Sequence, residues 1–439
     1  MERISVVTHR LALAAIMLLF LASFSIRAEE SADVLRAGVA RIDITPKEPV
    51  TLCGYGGRDG LSKGVHDPLS ARAAAFESNG KRLVLVSTDL IGFYGGTAED
   101  FRKAILAKFD LQPAELFLGG IHTHAAPTLT LDKGKGHENN LKYTEFLRDK
   151  LIKVVAEALD STVPVGIGAG IGYCPVGSNR REVRLDDSGW PKDEAIKLGR
   201  NPYGPTDKQV LVAKIAKADG AVVAVLFDYA THSTALGPQN YMISGDVLGL
   251  AEQFVEKILG PEVIAPAFAG ACGDIDPWYR ILPQFNTEAG WIPEPVLLGT
   301  LLGEEVVHVY RDIKETSAAG KIDTAFTTMA LPKKQGEISG DEQAETNDQT
   351  VALNITAGRV GDIGFIGFGC EMCTEIGMAI KAASPFKHTF VITHCNGAAG
   401  YLPTKDMHKE GGYEVRSSPF APQAAEMVIK QSLKMLYQL

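Results

Sequence analysis

The sequence predicts a mixed α/β fold in which layered mixed β-sheets are flanked by helices. Two observations predict it. Short β-rich runs alternate with helical patterns along the chain, which favours α/β layers over an all-helical or all-β protein. The composition, 45% hydrophobic and 22% charged over 439 residues, is that of a globular protein that can bury a large core.

The first 28 residues have a different character. Arg3 and Arg10 precede the apolar run "LALAAIMLLFLASFS", and Ala28 is a small residue at a suitable cleavage point. The run is shorter than the roughly 20 residues that a bilayer span needs, so a membrane anchor is the less favoured alternative. We interpret residues 1–28 as a secretory signal peptide, and expect a secreted or periplasmic protein without a membrane span after its removal.

The remaining chain is acidic. Without the first segment, which holds three arginines and one glutamate, the formal charge of -9 becomes -11. Such a surface argues against nucleic acid as a partner.

Several elements follow in order. Strands are predicted at "RLVLVSTDLIGF" and "LFLGGIH", and an amphipathic helix at "YTEFLRDKLIKVVAEAL". "QVLVAKIAKADGAVVAVLFDYATH" predicts two strands around a turn at Asp219-Gly220. Then come the helix "VLGLAEQFVEKIL", the strand "VIAPAFAGA", the helix "VLLGTLLGEEVVHVYRDI", the strands "DIGFIGFG" and "TFVITHC" around the helix "TEIGMAIKAA", and the terminal helix "AAEMVIKQSLKMLYQL".

The stretch "LPKKQGEISGDEQAETNDQT" is polar and lacks periodicity. We interpret it as a surface excursion within one domain over residues 29–439, because motifs on both sides of it contribute to one predicted site.

All six cysteines lie after the predicted signal peptide, where an oxidising compartment would permit disulfides, although the sequence does not reveal their pairing. The "CEMC" segment has no second CxxC to complete a four-thiolate zinc site, so a structural or incidental role is favoured. The six are Cys53, Cys174, Cys272, Cys370, Cys373 and Cys395.

Five apolar runs end in residues that can do chemistry. They are "LFLGGIHTH", "AVVAVLFDYATHST", "APAFAGACGDIDP", "GFIGFGCE" and "FVITHCNGAAGY". Sites in α/β folds form at strand ends, so we expect these five ends to converge. In a strand, residues two apart point to one face, which would direct His122 and His124 into the same space.

The residue types at these ends suit a zinc site. His122 and His232 with Glu371 would supply two imidazoles and a carboxylate, and would leave a position for water, whose pKa zinc lowers to about 7. His124 and Asp276 could orient or deprotonate that water.

The roles of the other polar residues can each be interpreted in two ways. Asn179 and Arg180 could bind a substrate carbonyl or carboxylate, whereas Arg180 and Arg181 are by default a solvated charged pair. Asp274 or Asp276 could equally be a turn residue or a helix cap. A histidine at a strand end is more often a hydrogen-bonded residue than a ligand.

Taken together, the motifs resemble the neutral/alkaline (non-lysosomal) ceramidases, a family of zinc amidases with a mixed α/β catalytic domain. "AGVARIDITP" is similar to the opening strand of that family, and "GYGGRDGLSKGVHDPLSARAAAF" to its Gly-Tyr segment and ARA strand. "GGIHTHAAPT" resembles its HTH motif, "VGSNRRE" its Asn-Arg motif, and "THSTALGPQNYMISGDVLG" its histidine-bearing strand.

The resemblance implies a zinc ion and assigns roles to residues of this chain. His124 would contact the substrate or transition state beside the metal, and Arg180 would face the polar end of the bound amide. The implied metal ligands are His122, His232, Glu371 in "GFGCEMCTEIG" and Tyr401 in "NGAAGYLPT".

Two departures from the family pattern bear on the substrate. Where the family has a serine beside the zinc water, the segment "GDIDP" has Asp276, a carboxylate that could act as a stronger general base. The resemblance also covers the catalytic domain without the C-terminal β-sandwich of full-length ceramidases.

The primary hypothesis is a secreted zinc-dependent hydrolase that cleaves the amide bond of N-acyl sphingosine or another N-acyl substrate by attack of zinc-bound water. The expected partner is a small-molecule or lipid substrate with an acyl linkage. Two alternatives stay open: a metal-dependent hydrolase of an ester or carbohydrate derivative, and a non-catalytic metal-binding relative.

Overall fold

The computed structural model describes residues 34–134, 136–185, 191–278, 294–335 and 349–439. The predicted signal peptide, residues 1–28, lies outside the described residues, as do residues 336–348 of the predicted excursion. Within the described part of the chain, no helix has both the length and the apolar character needed to cross a membrane.

Groups of strands alternate with helices along the described chain. In chain order the strands are β1 Arg36–Asp43, β2 Gly64–Val65, β3 Ser70–Ser78, β4 Lys81–Thr88, β5 Leu116–Gly120, β6 Val163–Pro164, β7 Gly166–Tyr173, β8 Gly177–Asn179, β9 Arg181–Leu185, β10 Pro191–Leu198, β11 Gln209–Ala216, β12 Val222–Tyr229, β13 Met242–Ile243, β14 Ala267–Ala269, β15 Ile275–Pro277, β16 Ile322–Pro332, β17 Thr350–Val360, β18 Ile363–Phe368, β19 Glu371–Met372, β20 His388–Ile392 and β21 Tyr401–Leu402. The helices are α1 Thr97–Phe109, α2 Glu138–Asp160, α3 Asp246–Leu259, α4 Glu294–Asp312, α5 Thr374–Ala383, α6 Lys405–Glu410, α7 Tyr413–Arg416 and α8 Ala424–Gln438, with a short 3-10 turn at Pro113–Glu115.

Three larger sheets organise the molecule. Their strand orders are β5-β4-β3-β1-β6, β14-β12-β11-β7 and β16-β17-β18-β20. Helices cover the outer faces: α1 and α2 pack on the first sheet, α3 and α4 on the second, and α5 and α8 on the third. The mixed α/β architecture with helix-flanked sheets is therefore confirmed.

The inner faces of the three sheets meet in one shared core. Phe117 comes from the first sheet, Leu226 and Phe268 from the second, and Phe365 and Phe390 from the third, and all five are buried. The rings of Phe365 and Phe390 stack at 4.9 Å between centroids. Large apolar side chains from all three sheets therefore fix their relative positions by close packing.

Local sequence signals explain individual elements. The apolar stripe predicted on α2 is buried against the first sheet. The predicted hairpin joins β11 and β12 in antiparallel register, and Gly220 in its turn has a φ of 87° that glycine adopts without strain. The stripe residues are Tyr143, Leu147, Leu151, Val154 and Ala158.

Each of the three larger sheets contains one pair of parallel strands: β4 with β5, β12 with β14, and β18 with β20. The carboxyl ends of these pairs are tied together by backbone hydrogen bonds. Thr393 N donates to Ala269 O at 2.9 Å, and Asn396 N donates to Leu118 O at 2.8 Å. Residues that follow the parallel strands therefore gather in one place.

Candidate metal centre

His122 follows β5 and lies outside regular strand geometry. β5 ends at Gly120, and His122 has a φ of 60°, in the left-handed region. The expectation that strand alternation directs His122 and His124 to one face is therefore wrong. The two rings nevertheless reach the same space, because the turn brings their Nε2 atoms to 3.3 Å.

His122 and His232 are oriented in the same way. Nδ1 of His122 lies 2.8 Å from the Ile91 carbonyl oxygen, and Nδ1 of His232 lies 2.8 Å from that of Cys272. Since a carbonyl oxygen accepts a hydrogen bond, each Nδ1 carries a hydrogen, and in the neutral ring each Nε2 keeps a lone pair. This tautomer is the one that binds a metal through Nε2.

The carboxylate of Glu371 lies close to both of these imidazole nitrogens. Its Oε2 lies 3.4 Å from Nε2 of His122 and 3.5 Å from Nε2 of His232. Its Oε1 accepts a hydrogen bond from the Tyr94 hydroxyl at 3.3 Å, whereas the buried Oε2 has no hydrogen-bond donor among the described residues.

These distances fit a metal ion. Ligand atoms about 2.0–2.2 Å from a tetrahedral zinc ion lie about 3.3–3.6 Å from each other. The two distances from Glu371 Oε2 to the imidazole nitrogens match that spacing. A buried carboxylate oxygen without a donor is costly, and a cation beside it offsets that cost. The buried His/Glu cluster can therefore hold a metal ion.

Two further histidines border His122, His232 and Glu371. His124 groups with His122 and His232, and His394 groups with His122 and Glu371, in sets whose ligand atoms lie within 4.8 Å of one another. The rings of His122 and His394 stack at 3.8 Å between centroids. Nδ1 of His124 and Nε2 of His394 are buried and have no hydrogen-bond partner in the described structure.

Burial sets the ionisation of these groups. It lowers the pKa of His124 and His394 well below the ordinary value, and it lowers that of His232 together with the nearby charge of Arg180. Burial alone would raise the pKa of Glu371, but His122 holds it well below its ordinary value. His124, His232 and His394 are therefore neutral imidazoles beside an ionised carboxylate, which is the form that metals bind.

Arg180 lies beside the metal centre and is buried. Its Nε donates to Glu414 at 2.9 Å, Nη1 to Asp276 at 3.3 Å, and Nη2 to the Tyr401 hydroxyl at 3.2 Å. Nη1 also lies 3.2 Å from Nε2 of His232. The reading of Arg180 and its neighbour as a solvated pair is wrong, because each is only 5% exposed.

Asp276 and Tyr401 lie at opposite sides of that guanidinium. Asp276 Oδ1 accepts from Arg180 and from the Thr234 hydroxyl, both at 3.3 Å, and lies 4.0 Å from Nδ1 of His232. Tyr401 is paired with Glu371 in the short β19-β21 ladder. The structure thus brings all seven predicted site residues into one region.

The Asp274 carboxylate holds two neighbouring segments of the chain together. Its Oδ1 accepts from the backbone N–H of Thr374 at the start of α5, and its Oδ2 accepts from the Asn179 side chain at 2.9 Å. Burial raises the pKa of Asp274 to about 6. Asn179 also donates to the Pro205 carbonyl at 2.9 Å, so its amide is engaged within the protein.

Sequence reasoning assigned no role to three residues near the centre: Tyr94, His394 and Glu414. His394 follows β20 just as His122 follows β5, and its φ is 53°, so the strand-end rule could have found it. Glu414 is buried between Arg180 and Arg181, and no local pattern indicates this. The six cysteines are free thiols in the structure.

Fold and site together define a mixed α/β protein with a buried His/Glu cluster that can hold a metal ion. The family model described as "Neutral/alkaline non-lysosomal ceramidase, N-terminal" matches residues 35–277. The chain belongs to this family.

Similar proteins agree. The neutral ceramidase of Oryza sativa subsp. japonica is 27% identical over 239 residues, which cover 52% of this chain and 29% of that protein. The neutral ceramidase of Mycobacterium tuberculosis is 26% identical over 251 residues, covering 52% of this chain and 37% of that protein. These matches therefore span roughly a third of the relatives' own length.

The fold extends further than the sequence match. The crystal structure of neutral ceramidase from Pseudomonas aeruginosa superposes with a TM-score of 0.74 at 19% identity, and the match covers 92% of this chain and 74% of that chain. A structure described as a ceramidase complexed with C2 gives a TM-score of 0.72 at 18% identity. The ceramidase fold is therefore shared across most of this chain.

Proposed function

We propose that this protein is an exported zinc-dependent hydrolase that cleaves the amide bond of an N-acyl lipid, such as N-acyl sphingosine, or of another N-acyl substrate. Family membership supports the reaction class. The observation that carries the proposal is the convergence of Nε2 of His122 and of His232 on the donor-free Oε2 of Glu371. Export rests on the signal-like residues 1–28.

Each residue of the centre has a defined task in the proposal. His122, His232 and Glu371 hold the metal, and Tyr401 is the fourth ligand suggested by the family motif. The chemistry that zinc supplies in such a site is polarisation of a carbonyl and activation of water.

The neighbouring side chains handle the substrate and the protons. Arg180 faces the polar end of the amide, and His124 contacts the reacting group beside the metal. Asp276 takes a proton from the attacking water while the oxygen of that water adds to the acyl carbon. The C–N bond then breaks, and the departing amine receives the proton.

Metal analysis and hydrolysis assays test the proposal together. The purified protein should contain about one zinc per chain, and it should hydrolyse N-acyl sphingosine or a simpler N-acyl amide before chelation but not after it. His232→Ala should abolish both properties. His308→Ala is the matched control, because that histidine is exposed on α4. Full activity after complete zinc removal would refute the mechanism.

A second candidate function has its own observation. Asp276 stands where the family motif has a serine, and its carboxylate is paired with Arg180 instead of presenting a hydroxyl. A changed group beside the substrate favours a changed bond, such as an ester or a carbohydrate derivative. A panel of amides, esters and glycans separates these reactions, and bound zinc without turnover on any of them would indicate a metal-binding relative.

A further inference from the structure

A cavity of about 780 Å³ is lined in part by residues that precede Glu371 and Tyr401 in the chain. Helix α1 forms one wall, and strands β16 and β17 form another. The third wall is made by Gly369 and the segment 396–399, which lie two residues before Glu371 and Tyr401. None of the proposed metal ligands lines it.

Arg102 lines this cavity and is 8% exposed. Its Nη2 donates to the Pro113 carbonyl at 3.0 Å, and its guanidinium lies 4.9 Å from the centroid of the Phe326 ring. Its Nε is buried and has no hydrogen-bond acceptor among the described residues. Burial lowers the pKa of Arg102, with weak opposition from Cys395 and Glu99.

Arg102 differs from the other buried arginines of the described chain. Arg72 pairs with three carboxylates, and Arg180 and Arg181 share Glu414. No carboxylate of the described residues lies within ion-pair distance of Arg102. A guanidinium stays protonated in proteins, and a buried charge without a counter-ion is costly. A counter-ion from outside the chain would remove that cost.

The other walls restrict the kind of counter-ion. Phe93, Leu106, Leu111 and Phe326 give the cavity apolar surface, and its volume lies in the range of sites that bind small organic molecules. The lining also contains the charged residues Glu99, Lys103 and Asp110. A bare inorganic anion would leave the apolar surface in contact with water, whereas an apolar tail would cover it.

We propose that this cavity binds an organic monoanion, a carboxylate with an apolar tail, whose charge neutralises Arg102. Binding there is independent of the hydrolysis proposed at the metal centre, so either proposal can fail without the other.

Isothermal titration calorimetry of the full chain with octanoate, 1-octanol and acetate tests the site. Octanoate should bind at least tenfold more tightly than either comparison compound, because only octanoate has both the charge and the tail. Arg102→Met should weaken octanoate binding at least tenfold, whereas Arg102→Lys, which keeps the charge, should retain most of it.

The thermal stability of the unliganded protein provides a second test of the site. Arg102→Met should raise the thermal unfolding midpoint of the unliganded protein or leave it unchanged, because it removes an uncompensated buried charge, and octanoate should then add no further stabilisation.

A further variant covers the case in which Arg102→Met does not fold. Ala107 is exposed on α1 and lines the cavity, so Ala107→Trp should narrow it and weaken octanoate binding, whereas the neighbouring Lys108→Trp should not. Equal binding of octanoate and 1-octanol, no binding of octanoate, or unchanged binding in Arg102→Met or Ala107→Trp would each overturn the proposal.

Discussion

Two buried clusters of charged side chains differ in how their polar atoms are satisfied. In the first, Arg72 on β3 donates through Nε to Glu256 at 2.8 Å and contacts Glu252 and Asp89 through Nη1. Backbone N–H groups also donate to all three carboxylates. Charge and hydrogen bonds are thus supplied within the protein, and the cluster ties α3 to the first sheet.

The metal centre is equally buried but leaves one acceptor without such a partner. Nε2 of His122 and Nε2 of His232 face Oε2 of Glu371, which has no donor among the described residues, and Nη1 of Arg180 approaches Nε2 of His232. The comparison teaches that burial of charge does not by itself identify a functional site. A buried charge with all its partners is scaffold, whereas an acceptor that faces only acceptors requires a cation from outside.

The largest expected effect lies in the scaffold cluster. Arg72→Met leaves Glu252 and Asp89 buried without their cation, whereas Glu256 keeps its ion pair with Arg41, and the loss should cost roughly 3–5 kcal/mol of unfolding free energy. Urea denaturation measures it, with Lys142→Met as the control, since Lys142 pairs with Glu138 on the surface. A loss as small as that of the control would contradict the assignment of this cluster as scaffold.

The metal centre should respond to zinc. Glu371→Gln removes the carboxylate oxygen on which the two imidazoles converge, so it should act on the stabilisation of the folded protein by zinc. Zinc at 100 to 1,000 times its Kd should stabilise the wild type by about 2.7–4.1 kcal/mol, and this gain should vanish in the variant. Unfolding with and without zinc measures this gain, and the exposed Glu375→Gln is the control. Equal stabilisation of Glu371→Gln and Glu375→Gln by zinc would count against Glu371 as a ligand.

Part of the metal centre could be predicted from the sequence, whereas the Arg72 cluster was not predicted. The strand-end rule assigned His122, His232 and Glu371 to one place, because apolar runs mark the strands and polar residues follow them directly. The reason given for His122 and His124 was nevertheless wrong, since a left-handed residue after β5, and not strand alternation, brings their rings together.

The scaffold around the centre could not be predicted. Arg180 and Arg181 resemble a solvated pair because their counter-ion, Glu414, lies more than 230 residues away in a short polar helix. Long-range pairs of this kind leave no local pattern, and only the packing of the sheets reveals them. The ligand role of Tyr401 stays a prediction, because its hydroxyl accepts from Arg180 in this structure.

A smaller effect is expected at the Tyr94 hydroxyl, which donates to Oε1 of Glu371 at 3.3 Å and so orients the carboxylate. Tyr94→Phe should weaken zinc binding about 10- to 100-fold, the usual cost of losing a partner that orients a ligand. Competition with a chelating dye measures the affinity, and the exposed Tyr437→Phe is the control. Unchanged affinity would mean that the backbone of β19 alone positions Glu371.

Asp228 on β12 is intermediate between the two clusters and should give the smallest effect. Its Oδ2 accepts from Val391 N at 3.0 Å and lies 3.5 Å from Lys381 Nζ, whereas its buried Oδ1 has no hydrogen-bond partner among the described residues. Burial raises its pKa from 3.8 to about 6, against the lowering effect of Lys381.

Because the folded state holds this proton more tightly than the unfolded state, the contribution of Asp228 to stability is complete below about pH 4 and is lost as the pH rises through about 6. Asp228→Asn keeps the acceptor for Val391 and places an uncharged group at the Oδ1 position. The variant should therefore be more stable than the wild type at pH 7, by on the order of 1–2 kcal/mol, and the two unfolding free energies should converge near pH 4.

Urea unfolding at pH 4, 5, 6 and 7 measures this difference in stability, with the exposed Asp219→Asn as the control. Parallel pH profiles for wild type and Asp228→Asn would show that Lys381 satisfies this carboxylate fully, and would place it with the scaffold cluster.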